Sequence, residues 1–380
     1  MQFRDLKKQY NVLKADIDKQ IAEVIESSQF ILGPKVIELE KELAEFAGVK
    51  HCISCANGTD AITLPLLAWG VGKGDAVFTS DFTFFASAGG AEILGARAFL
   101  VDIDPKTFNM SPAALEATIQ KVIAEGKLTP KVIITVDLFG LLADYPAIEP
   151  IAKKYGLKIL EDAAQGFGGE LDGKRACSFG DAATTSFFPA KPLGCYGDGG
   201  AMFTNDDELA INLRSLRVHG SSPADRYDNR QIGMNSRLDS IQAGILLAKL
   251  HAYRSYEIDD VNKVAGWYTE RLKDLVQTPY IPEGYKSAWA QYTILLPDNE
   301  TRNKLQQHLK DKNIPTMIYY PKGMHRQTAF ADRNLNDDDY PNANKAAECV
   351  ISLPIGPYLS EDDVDMICGE IRRALGHKEV

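Results

Sequence analysis

The sequence predicts an α/β protein: a large domain with a mostly parallel central sheet sandwiched by helices, then a smaller α+β domain. Three observations point there. Short apolar runs of strand length alternate with segments of helical spacing between His51 and Thr204. From Leu238 the character changes to one long amphipathic helix followed by a mixed pattern. The chain has 380 residues, 45% hydrophobic and 25% charged, which is ordinary globular composition with room for more than one domain.

The elements follow in order. Leu13, Ile17, Ile21 and Val24 share one face of a helix over Asp5 to Ser28, broken by Phe30-Ile31-Leu32-Gly33-Pro34. A second helix carries Val36, Leu39, Leu43 and Phe46. Strands are expected at His51–Cys55, Ala76–Thr79, Ala98–Val101, Val132–Val136, Lys158–Leu160, Ala182–Phe188 and Ala201–Thr204. Helices are expected at Asp60–Trp69, Phe85–Leu94, Pro112–Ala124 and Tyr145–Tyr155. No helix separates the last two strands, so that part of the sheet is expected to be antiparallel. Leu238, Ile241, Ile245 and Ala248 start the long helix, which continues towards Leu272. Beyond it are expected strands at Ala290–Leu296, Thr316–Tyr320 and Val350–Leu353, with helices at Asn303–Asp311 and Asp362–Leu375. The expected division is a large domain over 1–240, a linking helix over 241–275 and a small domain over 276–380. Ser221–Asn229 is polar and reads as a mobile surface loop.

Composition excludes several classes of function. Lys and Arg number 42 against 52 Asp and Glu, a net charge of -10, which makes the chain a poor general binder of nucleic acid. No run is apolar over the length of a membrane span, and Phe82 to Val101 is interrupted by Glu92 and Arg97. The first residues lack the apolar core of a secretory signal, so a cytoplasmic protein is expected. The six cysteines then read as reduced thiols, and the Cys52–Cys55 pair, set in a strand, as core packing rather than zinc or redox chemistry.

In an open α/β sheet ligands bind at the carboxyl ends of the strands. The first strand ends in Ala56-Asn57-Gly58-Thr59-Asp60 and enters a helix. Free amides and the helix dipole there favour a phosphate, although the same residues also make a good helix cap. Phe84 follows the next strand and could stack on a flat ring, or pack in the core. Lys158–Leu160 delivers Glu161-Asp162-Ala163-Ala164-Gln165, a strand-end carboxylate that could serve a site or cap a turn. The most telling stretch is Ser186-Phe187-Phe188-Pro189-Ala190-Lys191-Pro192-Leu193-Gly194, followed by Cys195-Tyr196-Gly197-Asp198-Gly199-Gly200. A lysine partly removed from water has a lowered pKa and becomes an amine nucleophile for carbonyls, although Lys191 could also be a surface lysine in a turn. Gly70 to Asp75 lies between a helix and a strand, the wrong order for a dinucleotide fingerprint.

Glu-Asp-Ala-Ala-Gln, Ser-Phe-Phe-Pro-x-Lys and Tyr-Gly-Asp-Gly-Gly, in this order, resemble the DegT/StrS family of sugar aminotransferases. Those are pyridoxal-phosphate (PLP) enzymes of fold type I, and the similarity spans nearly the whole chain. It looks closest to members that aminate a UDP-2-acetamido-3-keto-hexuronate for bacterial surface polysaccharide. The resemblance implies that Lys191 is the Schiff-base lysine and that Asp162 pairs with the pyridine nitrogen. It implies Gln165 at the ring hydroxyl, where many relatives carry His, and Phe84 on the ring face. Gly58, Thr59 and Ser186 match the phosphate contacts. Asn235 matches a residue reaching the cofactor phosphate of the neighbouring subunit, which implies a homodimer. Tyr320 and His325 match nucleotide-sugar contacts. Arg237, with Arg226 and Arg230, are candidates for its diphosphate or solvated surface charges. Phe30 and Gly33 are candidates for the sugar pocket.

The implied reaction takes the amino group of L-glutamate, stores it as pyridoxamine phosphate and passes it to the keto-sugar. Carbon 3 is favoured. The alternative is carbon 4 of a UDP- or dTDP-4-keto-6-deoxy sugar. Sugar dehydratases of the same fold replace the lysine with His, so Lys191 argues against them. A nucleotide-sugar oxidoreductase would need the missing G-x-G-x-x-G. A non-catalytic PLP-binding sensor stands as a more distant alternative, against which Asp162, Ser186, Lys191 and Asn235 together argue.

Overall fold

The computed structural model describes residues 1–222, 224–225 and 227–376. Helix α1 (Leu6–Ser27) is capped by Asp5, whose carboxylate accepts from the Lys8 amide, and α2 (Pro34–Ala47) begins on a proline and ends at Gly48. Alternation then begins: β1 (His51–Cys55), α3 (Gly58–Ala68), β2 (Asp75–Ser80), α4 (Ala86–Glu92) and β3 (Arg97–Val101). It continues through α5 (Pro112–Glu125), β4 (Thr129–Val136), α6 (Tyr145–Tyr155) and β5 (Lys158–Asp162). The short β6 (Glu170–Leu171) and β7 (Lys174–Arg175) precede β8 (Ala182–Ser186), β9 (Gly200–Thr204) and α7 (Asp207–Leu216).

Seven strands form one sheet in the order β1-β9-β8-β5-β4-β2-β3. Only β9 runs against its neighbours, as the missing helix between β8 and β9 led us to expect. Consecutive residues of a strand serve opposite layers. Phe78, Ile133 and Ile159 face one core, while Val77, Ile134 and Leu160 face the other. Burying each such side chain contributes roughly 1.5–3 kcal/mol. Two-sided burial explains why the strands read as apolar runs rather than alternating ones.

Next come α8 (Ser240–Ala252), a π turn (Tyr253–Glu257) and α9 (Ile258–Leu272), one continuous helical run. After β10 (Tyr285–Lys286) come β11 (Tyr292–Leu295), α10 (Asn299–Asp311), α11 (Pro341–Cys349), β12 (Val350–Leu353) and α12 (Glu361–Ala374). β11 and β12 pair antiparallel, and Val264, Tyr268, Ile294, Leu309, Ile351 and Ile367 form a core around them.

The strand expected at Thr316–Tyr320 is absent: only Met317 makes a single bridge, to Ser352. Pro315 has no N–H for a ladder, and the segment is drawn to the sheet edge by contacts of Tyr320. Helix α7, capped by Asp206, and helix α11 were not foreseen. No helix of the described residues is long and apolar enough to cross a membrane.

Candidate active site

Because β1, β8, β5, β4 and β2 are parallel, their carboxyl ends meet along one edge of the sheet. Asp162 closes β5 and is 5% exposed. Its Oδ2 accepts from the Ser87 hydroxyl at 2.8 Å, and its Oδ1 accepts from the Ala164 amide at 3.2 Å. Burial pushes its pKa up, opposed by the two hydrogen bonds and by the charge of Lys191.

Lys191 sits on the loop that leaves β8 and returns as β9. The loop is pinned at its neck, with the Phe187 amide donating to Gly199 and the Cys195 amide to Phe187, both at 2.8 Å. A Cβ on Gly194 would lie 2.4 Å from the Pro189 carbonyl, so this turn admits only glycine. The Lys191 amine forms no hydrogen bond or ion pair among the described residues. Burial lowers its pKa, the Asp162 charge opposes this and the Arg4 charge adds to it.

Beside it lies a cradle for an anion. The Asn57 side chain caps α3 by accepting from the Asp60 amide at 2.8 Å. The Gly58 and Thr59 amides are left without partners among the described residues. A Cβ on Gly58 would sit 2.6 Å from Ser186 Cβ and 3.0 Å from its Oγ. The absence of a side chain at Gly58 therefore brings the Ser186 hydroxyl against the helix N-terminus. Ser236 buttresses the cradle: its hydroxyl donates to Asp60 at 2.7 Å and accepts from the Ala56 amide at 3.1 Å.

A third group closes the other side. Gln165 is buried, accepting from the Phe139 amide at 3.0 Å and donating to the Tyr320 hydroxyl at 3.3 Å. Tyr320 stands 6.4 Å, centroid to centroid, from the ring of Phe84, which is 56% exposed. An apolar ring that open at a strand end offers a face to a planar ligand. The residues fit PLP: an anion cradle, a buried carboxylate, an unpaired amine and an open aromatic face.

The structure thus brings together Gly58, Thr59, Phe84, Asp162, Gln165, Ser186, Lys191 and Tyr320. His325 is placed differently. Its side chain is 1% exposed, with Nδ1 facing Asp81 Oδ2 at 2.7 Å and Nε2 facing Asp337 Oδ1 at 2.9 Å. Both ring nitrogens face carboxylates, so His325 acts as a strut. It ties the end of β2 to the segment carrying Tyr320.

The remaining candidates are more scattered. Asn235 is exposed, held by a backbone bridge to Val218. Arg237 is half-buried and makes no ion pair among the described residues. Phe30 is exposed, and the Gly33 amide donates to Ser240 Oγ at 3.2 Å, so this segment is fastened to the start of α8. Arg230 pairs with Asp228 at 3.4 Å. Arg226 lies outside the described residues.

Sequence reading missed Ser87, Asp81 and Ser236. Each acts through a partner more than seventy positions away (Asp162, His325 and Asp60), and no local pattern marks such a pair.

The model of the DegT/DnrJ/EryC1/StrS aminotransferase family matches residues 11–372. The chain is similar to the UDP-2-acetamido-2-deoxy-3-oxo-D-glucuronate aminotransferase of Pseudomonas aeruginosa, at 46% identity over 98% of this chain and 99% of that protein. A solved DegT/DnrJ/EryC1/StrS aminotransferase from Brucella abortus superposes with a TM-score of 0.96 at 48% identity, over 99% of this chain and 100% of that one. NtdA of Bacillus subtilis, solved with bound cofactor PMP, gives a TM-score of 0.85 at 29% identity, over 96% of this chain and 82% of that one. The chain belongs to the DegT/DnrJ/EryC1/StrS aminotransferase family.

Proposed function

We propose that this protein is a PLP-dependent aminotransferase that moves the amino group of L-glutamate to carbon 3 of a UDP-linked keto-sugar. The observation that carries the reading is the unpaired, partly dried Lys191 amine close to the buried Asp162 carboxylate. The carbon-3 and UDP parts rest on the similarity to the Pseudomonas aeruginosa enzyme, and the cofactor on the fit of the cradle and on NtdA. In this reading the domains divide at 1–240, 241–275 and 276–380, and the working unit is a homodimer.

Each residue then has a task. The Gly58 and Thr59 amides and the Ser186 hydroxyl hold the cofactor phosphate. Phe84 would offer its face to the cofactor ring, and Gln165, oriented by Phe139 and Tyr320, would serve the ring hydroxyl. Asp162 keeps a proton on the pyridine nitrogen, and Ser87 holds the carboxylate in place. When bound, PLP supplies the electron sink that makes the α-hydrogen of an amino acid acidic. Lys191 Nζ carries that proton: it takes it from the α-carbon of L-glutamate and, in the second half-reaction, delivers one to the sugar. Its pKa, lowered by burial and by the Arg4 charge against the opposing charge of Asp162, favours the free amine that proton transfer needs. Asn235 would serve the phosphate of the second subunit's cofactor, and Tyr320, Phe30, Gly33 and Arg237 would serve the nucleotide-sugar.

The test is transfer of isotope. Holoenzyme, L-[15N]glutamate and UDP-2-acetamido-2-deoxy-3-oxo-glucuronate should give a sugar nucleotide with the label on carbon 3. Label appearing only with a 4-keto-6-deoxy sugar would move the reaction to carbon 4. No label in either sugar would refute the function.

A further inference from the structure

Two cations, the half-buried Arg4 and the buried Lys249, hold the Lys191 loop through its backbone. Arg4, just before α1, donates from Nη2 to the Pro192 carbonyl at 3.2 Å. Lys249, in α8, donates from Nζ to the Gly194 carbonyl. The two carbonyls flank Leu193, which is itself buried at 2% exposure. Lys249 is 1% exposed, and its amine stands 4.8 Å from the centroid of the Tyr196 ring.

A carbonyl is a modest partner for a charge removed from water, and the buried Arg4 Nη1 has no hydrogen-bond partner among the described residues. The carboxylate that balances the cluster is Glu257, 2% exposed. It accepts from Gln9 Nε2 at 3.0 Å and from the Tyr358 hydroxyl. Glu257 ends the π turn between α8 and α9, and Tyr253 begins it, donating to the Phe167 carbonyl at 2.6 Å. Single π turns inside α-helices often accompany functional sites. Two cations against one carboxylate leave net positive charge behind the lysine loop.

We propose that Arg4 and Lys249 are positioning residues, a two-point cationic clamp that fixes the Lys191 loop and keeps positive charge behind the Lys191 amine. The clamp rests on the reading of Lys191 as the proton-carrying lysine. The groups facing Lys191 are Asp162, which favours its charged form, and Arg4, which disfavours it. Arg4 in turn faces Tyr253 and Glu257. Burial brings the Lys249 pKa down to about 8, with Arg4 adding to the shift and Glu257 and Cys195 opposing it. Lys249 is therefore still mostly charged at neutral pH.

The test uses the full chain stripped of cofactor. Trace acetylation with acetic anhydride is followed at the Lys191 peptide by mass spectrometry, between about pH 6 and pH 10. Arg4→Gln should move the midpoint up by about one unit, a roughly tenfold loss of free amine below it. Arg4→Lys keeps the charge and should hold the midpoint within about 0.3 unit of the native one. An unmoved midpoint in Arg4→Gln, or an equal shift in Arg4→Lys, would overturn the clamp. Should Arg4→Gln not fold, Lys249→Met supplies a second readout. Hydrogen exchange at the Lys191 and Cys195 amides should quicken while that of α12 stays native; unchanged exchange in the loop overturns the proposal. Because the labelling needs no PLP, a protein that shifts as expected yet binds no PLP would refute the function and leave the clamp standing.

Discussion

Asp81→Asn perturbs the strut that ties the end of β2 to the Tyr320 segment. The Asp81 carboxylate is fully buried; it accepts from the His325 amide at 2.7 Å and faces His325 Nδ1 at 2.7 Å. His325 also stacks on Tyr340, with centroids 4.4 Å apart. Burial pulls the His325 pKa down, but Asp81 and Asp337 outweigh it, and the net direction is up. A histidine raised above its unfolded value contributes stability that is complete below about pH 6.5 and fades as pH rises through the folded value. Breaking a buried pair costs about 3–5 kcal/mol. Asparagine keeps one acceptor, which returns about 1 kcal/mol, so the loss should be about 2–4 kcal/mol at pH 6. For a chain of 380 residues, the unfolding entropy is roughly 0.8 kcal/mol per kelvin, and Tm should fall by roughly 3–5 °C. Thermal unfolding of both proteins at pH 6 and at pH 9 measures this, and the gap should narrow at pH 9. A Tm change below about 1 °C at pH 6, or an equal change at both pH values, would refute the strut.

Other substitutions probe the site directly. Lys191→Ala removes the proton carrier, and turnover should fall by at least roughly 10²–10⁴-fold in the labelled-glutamate assay; near-native activity would sink its assignment. Gly58→Ala drives a methyl into Ser186, a strain of about 1–3 kcal/mol, and PLP titration should show roughly tenfold weaker binding. An unshifted titration curve would mean the phosphate lies elsewhere. Asp162→Asn removes the charge that Ser87 orients, and kcat should drop by roughly 10²–10³-fold with PLP still bound. A variant at native kcat would free Asp162 of its role.

The central sheet was legible because each strand is buried on both faces and the helices between them carry caps such as Asn57 and Ser111. Lys191 and Asp162 could be picked out because Asp162 ends a strand and Lys191 follows one, where an α/β sheet opens to ligands. What the sequence hid depends on distance along the chain. Arg4 meets Pro192 across 188 positions, and Asp81 meets His325 across 244. Nothing in either local segment marks the encounter. The strand expected at Thr316–Tyr320 failed for the same reason: its apolar and aromatic residues suit a ladder, but Tyr320 is held by Gln165, just beyond the carboxyl end of β5. The resemblance marked His325, but the two carboxylates that face its ring nitrogens were hidden for the same reason.

The most direct measurement is the visible absorbance of the purified protein before and after L-glutamate is added. A yellow band that bleaches with glutamate is the expected result, because it reports the cofactor, its link to Lys191 and the first half-reaction in one experiment. A band that ignores glutamate would contradict the amino donor. No band even after PLP is supplied would contradict the account as a whole.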